Sequence, residues 1–366
     1  MGAHRVVALV CTVAVLMQCC SCAVPTVTIV PSVFTYSGLT YSTYYVSGYF
    51  GSPPQLTNLL VDGGLDALLF FSTNCTQYGC PTQSAFLYDA EASSTYSSTG
   101  EPLDYTYAAG QITVTGEVGK DSGSFAGFQD PGQLMGYVEN LSEPSYFPVV
   151  DQPLSGVWGF AYPTAQMGNL SMPQNLYLNN EDMMDFKYAI WLPMSIYENG
   201  VLNVGAVDDH FYEGEINYVP LLPSTWAGQD YPFFWTNKIS SIKVDGVSND
   251  YCESRDGCDF FVDLAGLPMD VSGGLPAVNI SSDCSNMGSL PTYSFEIGGV
   301  DYTLTPEQYI IQYIGPEGTT MCESGINSGS RIYYPFTLGY TFIRNYYSVF
   351  DFANQQLGFA KAAQVN

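Results

Sequence analysis

Histidine is nearly missing from this 366-residue chain, which has only His4 and His210. A Ser-His-Asp triad or a Cys-His pair needs an imidazole as general base, and a His-rich zinc centre needs several. His4 falls in an N-terminal leader. His210 stands alone in the turn-like Val207-Asp-Asp-His-Phe-Tyr-Glu-Gly214, with no nucleophile motif beside it. It reads as a surface residue, so no metal site is expected and any acid–base chemistry falls to carboxylates and tyrosines. Basic residues are also scarce: nine Lys and Arg against 35 Asp and Glu, a formal charge of −26. Such a surface repels phosphates, which argues against nucleic acid or an anionic membrane as partner. It suits a protein working at low pH, where protonation relieves self-repulsion, and equally one that is simply soluble. Long apolar runs are missing as well. Residues 6–17 are too short to span a bilayer, and no later stretch approaches the roughly 20 residues required. Neither a membrane anchor nor a cofactor is expected.

What is present begins with an export signal. His4 and Arg5 precede the apolar run, and Ser21-Cys-Ala23 follows it, the pattern of a signal peptide over residues 1–23. The expected destination is extracellular, or an acidic endolysosomal compartment reached by the same route. Six cysteines lie beyond the leader: Cys75, Cys80, Cys252, Cys258, Cys284 and Cys322. An even count in an exported chain suggests three disulfides, although six cysteines allow about 15 pairings. The short gaps favour Cys75–Cys80 and Cys252–Cys258 as local loops, leaving Cys284–Cys322. Sequons at Asn74, Asn140, Asn169 and Asn279 agree with that route.

Tyr, Phe, Gly and Ser are abundant, and short β-branched or alternating runs lie between turn signals. Strands are predicted over residues 42–50, 58–71, 111–118, 188–193, 201–204, 241–247, 293–297 and 347–352. Helices are few: 172–179, 307–313 and 341–346. An internal repeat organises these elements. Leu59-Leu-Val-Asp62 is followed later by Val157-Trp-Gly159, and Phe260-Phe-Val-Asp263 by Thr337-Leu-Gly339. Two related lobes, each ending an apolar strand in an aspartate, are the simplest reading, with boundaries at 24–196 and 197–366. The cleft between them would bring the two carboxylates together.

The landmarks resemble the pepsin-like aspartic protease family. Tyr44-Tyr-Val-Ser-Gly-Tyr-Phe-Gly-Ser-Pro-Pro-Gln55 is similar to the family's opening strands and turn. Tyr105-Thr-Tyr-Ala-Ala-Gly-Gln111 resembles its flap hairpin, and Ser155-Gly-Val-Trp-Gly-Phe-Ala-Tyr-Pro163 the glycine strand beneath the first aspartate loop. Leu338-Gly-Tyr-Thr-Phe-Ile-Arg-Asn-Tyr-Tyr-Ser-Val-Phe-Asp351 looks like the closing strand, helix and strand. The resemblance runs in order from about residue 41 to 360. It implies a mainly β, bilobal fold with a cleft between two related β-barrel-like lobes. It further implies Asp62 and Asp263 as a catalytic pair and an extended peptide or protein in the cleft of a monomer. Tyr107, Gly64 and Leu69 would contact that peptide, and Phe70 and Tyr162 would add to the cleft wall.

The surroundings of both aspartates depart from the family's Asp-Thr/Ser-Gly-Ser/Thr. Here they read Asp62-Gly-Gly-Leu65 and Asp263-Leu-Ala-Gly266. Hydroxyls that would lock the loops together are missing at 63 and 264, and those beside each carboxylate at 65 and 266. Gly63-Gly64 reads as a flexible loop, and Ala265 would be strained if its φ were positive. Asp66 and Asp270 lie near the loops, where they could alter the pKa values of the pair, but they read first as surface residues. No Lys or Arg lies between Val24 and Asp62, so the family's basic pro-segment is not expected. These features predict a homologue that cleaves weakly or only binds, with an acid-acting endopeptidase as the alternative. A β-rich glycosidase would need acids outside the repeat, and none stands in a distinctive motif.

Overall fold

The structure, a computed structural model, describes residues 23–36, 39–76, 80–81, 86–107, 112–142, 152–163, 168–222, 224–226, 229–231, 234–265, 268–271, 273–276, 278–315, 317–327 and 336–365. The signal peptide expected over 1–23 lies almost entirely outside them, as do the tip of the predicted flap (108–111) and Gly266. The backbone of Tyr107 is described and its side chain is not.

Most of the described chain is β, in two lobes. The largest sheet has 13 strands. At one end of it, Gln55–Asp62 runs between Leu39–Phe50 and Gly156–Gly159, and the strands Ser97–Tyr107, Ile112–Phe125 and Phe128–Leu141 continue outward. A second sheet centres on Thr236–Val244, flanked by Cys258–Val262 and Tyr293–Ile297. Strands enclosed on both sides need apolar residues throughout, which is why Leu59-Leu60-Val61 reads as an unbroken run, all of it buried.

The repeat seen in the sequence reappears as geometry. Leu59–Asp62 pairs in parallel with Gly156–Gly159, and Phe260–Val262 pairs in parallel with Phe336–Leu338. Asp62 thus ends, and Asp263 directly follows, a strand that is braced by the strand leading to a glycine. Gly159 cannot carry a side chain: a Cβ would lie 2.4 Å from the Ala67 nitrogen and 2.6 Å from the Leu65 oxygen. The close approach lets Gly159 and Ala161 donate to the carbonyls of Ala67 and Leu65, at 2.9 and 2.8 Å.

Both ends of the described chain meet in one sheet. Thr26–Tyr36 pairs with Gly200–Val204, which pairs with Lys187–Trp191; then follow Tyr346–Asp351, Gln356–Ala362 and Tyr212–Pro220. Against this sheet lies an aromatic core in which Trp235 meets Phe350 and Phe352 edge-on and donates its indole N–H to the Phe160 carbonyl at 2.6 Å. The disulfides are Cys75–Cys80, Cys252–Cys258 and Cys284–Cys322, as the short gaps favour.

Candidate active site

Asp62 ends its strand with its side chain buried, 5% exposed. Gly64 N–H donates to its Oδ1 at 2.7 Å. From the other lobe, Asp263 leaves Cys258–Val262 with its own N–H on the Leu338 carbonyl, 3.2 Å. Its Oδ1 accepts from Ala265 N–H at 3.0 Å and from Gly63 N–H at 2.9 Å. The last bond spans 200 positions and joins the two loops directly. The structure therefore brings Asp62 and Asp263 together.

The bridge depends on what position 63 lacks. A Cβ at Gly63 would lie 2.5 Å from the Val262 carbonyl oxygen and 3.3 Å from Asp263 Oδ1. The loops have closed over a bare glycine, and the Gly63 backbone amide makes the crossing between them. Ala265 is similarly at ease. It is not among the described residues with positive φ, so the anticipated strain does not arise. Its methyl packs against a buried cluster that contains Leu65, Ala67 and Leu69.

Burial, then the charge of Asp263, pushes the Asp62 carboxyl up to about 7, against the pull of Gly64 N–H. Burial also raises Asp263, opposed by the amides of Ala265, Gly63 and Leu264. Both shifts favour a shared proton.

Other predicted residues fall differently. Asp66 and Asp270 are not surface residues: they are 3% and 5% exposed. Asp270 accepts from Asn327 Nδ2 at 3.1 Å, and its backbone exchanges hydrogen bonds with Thr337. Leu69 and Phe70 are fully buried; Leu69 belongs to the cluster under the hairpin and Phe70 to the main core, so both are core residues and not peptide contacts. Tyr162 stacks on Phe352 and accepts from Gln355 Nε2 at 2.9 Å, within the aromatic core. His210 is exposed. Asn74, Asn169 and Asn279 are exposed, whereas Asn140 is half-buried and donates to Thr115 Oγ1 at 3.3 Å. Tyr105 was not singled out by the sequence reading, yet its hydroxyl lies in the field of Asp66 and Asp62. The alternation of Leu103 and Tyr105 inward against exposed Asp104 and Thr106 is the signal that finds it.

Among the described residues no group of three or more His, Cys, Asp or Glu is arranged to hold a metal ion. No described helix is long and apolar enough to cross a membrane.

Two β lobes, each offering one aspartate to a shared centre, define the aspartic protease class of fold. The family model for eukaryotic aspartyl protease matches residues 43–267 and 270–362, and the chain belongs to that family. It is similar to pepsin-3 of Oryctolagus cuniculus, with 30% identity over 345 residues, covering 88% of this chain and 83% of the relative. Pepsin A of Bos taurus is 30% identical over 341 residues, covering 87% and 84%. Pepsin-2B of Gadus morhua is 29% identical over 337 residues, covering 87% and 96%.

Proposed function

We propose that this chain is a slow, acid-acting peptide hydrolase in which Asp62 and Asp263 share one proton and activate a water. The observation that supports it is the bond from Gly63 N–H to Asp263, which ties the two aspartate loops together despite the missing hydroxyls. In acid, one carboxyl stays protonated and the other is ionised. The ionised group takes a proton from water as the water attacks a peptide carbonyl, and the protonated partner donates to the carbonyl oxygen. An extended peptide or protein segment would lie between lobes 24–196 and 197–366 beneath the hairpin, as an added strand. Gly64 and Tyr107 are the contacts proposed for it. Slowness follows from support by backbone alone, because a misplacement of about 1 Å costs ~100-fold.

A second reading, peptide binding without cleavage, is favoured by one observation. Position 63 has no room for the family's hydroxyl, so the loops sit closer than that hydroxyl would allow. Under either reading the chain is exported after removal of residues 1–23 and glycosylated at the exposed sequons.

The test uses the chain recovered from the medium of a eukaryotic host, with its N-terminus read at Val24. It is incubated with a denatured protein substrate from pH 2 to 7, with and without a statine-type mimic of the transition state. Cleavage that peaks in acid, yields to the mimic and disappears in Asp62→Asn is the expected result. Binding of the mimic without cleavage selects the second reading. A folded chain that does neither removes both.

A further inference from the structure

The strand Leu39–Phe50 outruns its neighbour. Its pairing with Gln55–Asp62 ends at Tyr45 opposite Leu60, while its pairing with Thr26–Tyr36 continues to Leu39. Among the described residues no strand pairs with the other edge of residues 39–44. A backbone N–H on such an edge needs another acceptor once it is buried. Thr40, 6% exposed, gives its N–H to Glu323, 283 positions away, at 3.0 Å to Oε1 and 3.2 Å to Oε2. Glu323 rides on Thr320–Ser324, which pairs with Ile310–Ile314 and is pinned next door by the Cys284–Cys322 disulfide. One carboxyl group therefore joins the overhang to a hairpin from the far end of the chain.

We propose that Glu323 is an acid-set latch: neutral, it holds Thr320–Ser324 against the overhang of Leu39–Phe50, and ionised, it lets go. Glu323 is half-buried, and no cation among the described residues pairs with it. The groups around it are Tyr313 on the paired strand and Tyr340 on the short helix Tyr340–Ile343, phenols that burial, foremost, holds neutral. Tyr41, beside Thr40, stacks on Phe34 with ring centroids 5.6 Å apart. Arg344, one turn along from Tyr340, gives its guanidinium N–H groups to the carbonyls of Met194, Gln308 and Ile310 at 3.2, 2.7 and 3.0 Å. A single backbone N–H offsets only part of the cost of holding a charge out of water. Burial accordingly pushes the Glu323 carboxyl up to about 7, against the pull of Thr40 N–H. A group that binds its proton more tightly closed than open favours closure in acid and opening as pH rises. The overhang continues into the strand paired with Gln55–Asp62, so acid would seat the neighbour of the Asp62 strand.

The test is amide hydrogen exchange of the whole mature chain, read by mass spectrometry between about pH 5 and 8 with each rate divided by its intrinsic rate. Protection of the peptides spanning residues 39–45 and 320–324 should fall about tenfold or more across that interval, while Gln356–Ala362 keeps its own. Glu323→Gln preserves an acceptor oxygen and cannot ionise, so its protection at residues 39–45 should stay level. Constant protection in the wild type overturns the proposal, as does an equal fall in folded Glu323→Gln. A fall shared by Gln356–Ala362 is global loosening and overturns it too. If Glu323→Gln does not fold, the wild-type contrast between those segments decides alone. Turnover plays no part in this readout, so a chain that fails to cleave sinks the hydrolase reading and leaves the latch standing.

Discussion

Gly63 occupies the tightest point between the two aspartate loops, with the Val262 carbonyl where a Cβ would go. Placing a hydroxyl-bearing side chain there therefore carries a steric cost before it brings any benefit. Gly63→Ser and Gly63→Ala should destabilise the chain alike, by about 1–3 kcal/mol as overpacked sites do, because the clash is made by the Cβ that both share. Urea unfolding would measure this, and the Gly63 N–H bridge to Asp263 should weaken, lowering affinity for a statine mimic. A serine variant more stable or more active than wild type would contradict the account. Asp62 and Asp263 were legible because an aspartate after a buried apolar run, repeated in the second half, is a pattern. Asp66 was not, because the burial of a single acid is set by how the whole lobe packs, which no local spacing reveals.

At the scale of elements, residues 172–179 and 293–297 form the predicted helix and strand without change. The helix predicted over 307–313 is a single turn, Pro306–Tyr309, started by Pro306 and by the Gln308 side chain accepting from Thr305 N–H at 2.9 Å. It stops because Ile310 and Ile311, β-branched, enter a strand paired with Thr320–Ser324. Likewise 341–346 divides into a short helix, Tyr340–Ile343, and the start of Tyr346–Asp351. The run 58–71 breaks after Asp62 because the loop must turn there to present the carboxyl. Pairing Thr320–Ser324 also places Cys322 within reach of Cys284. Their bridge closes a separation of 38 residues, against five for Cys75–Cys80. Chain entropy predicts that replacing both members by alanine costs about 4 kcal/mol for the first and about 2 for the second. Denaturant titration of the two double variants checks the ranking, and equal losses would rule out an entropic origin.

The whole molecule is built to prefer acid. Asp62 and Asp263 are raised by burial, and so is Glu323, pushed up to about 7 while both its oxygens take Thr40 N–H, at 3.0 and 3.2 Å. A carboxyl raised in the folded state binds its proton more tightly there than when unfolded. Stability is then greatest below the unfolded values near 4 and falls as pH rises toward 7. Asp351, which burial raises but bonds from Asn354 and Gln356 bring down on balance, opposes this weakly. With a formal charge of −26 adding repulsion as carboxyls ionise, the melting temperature should drop steadily from about pH 4 to 7. A melting temperature that climbs over that interval would refute the assignment. Asp62→Asn should flatten part of the slope.

Thr26–Tyr36 leaves the ribosome early and Gln356–Ala362 late, yet they belong to one sheet. Asp263 is likewise translated well before Phe336–Leu338, the strand whose carbonyl holds its backbone. Contacts this distant in sequence form slowly and only when both partners exist. The growing polypeptide therefore carries both aspartates before it has the strands that bring them together, and the pair comes into being only when translation reaches the closing strands.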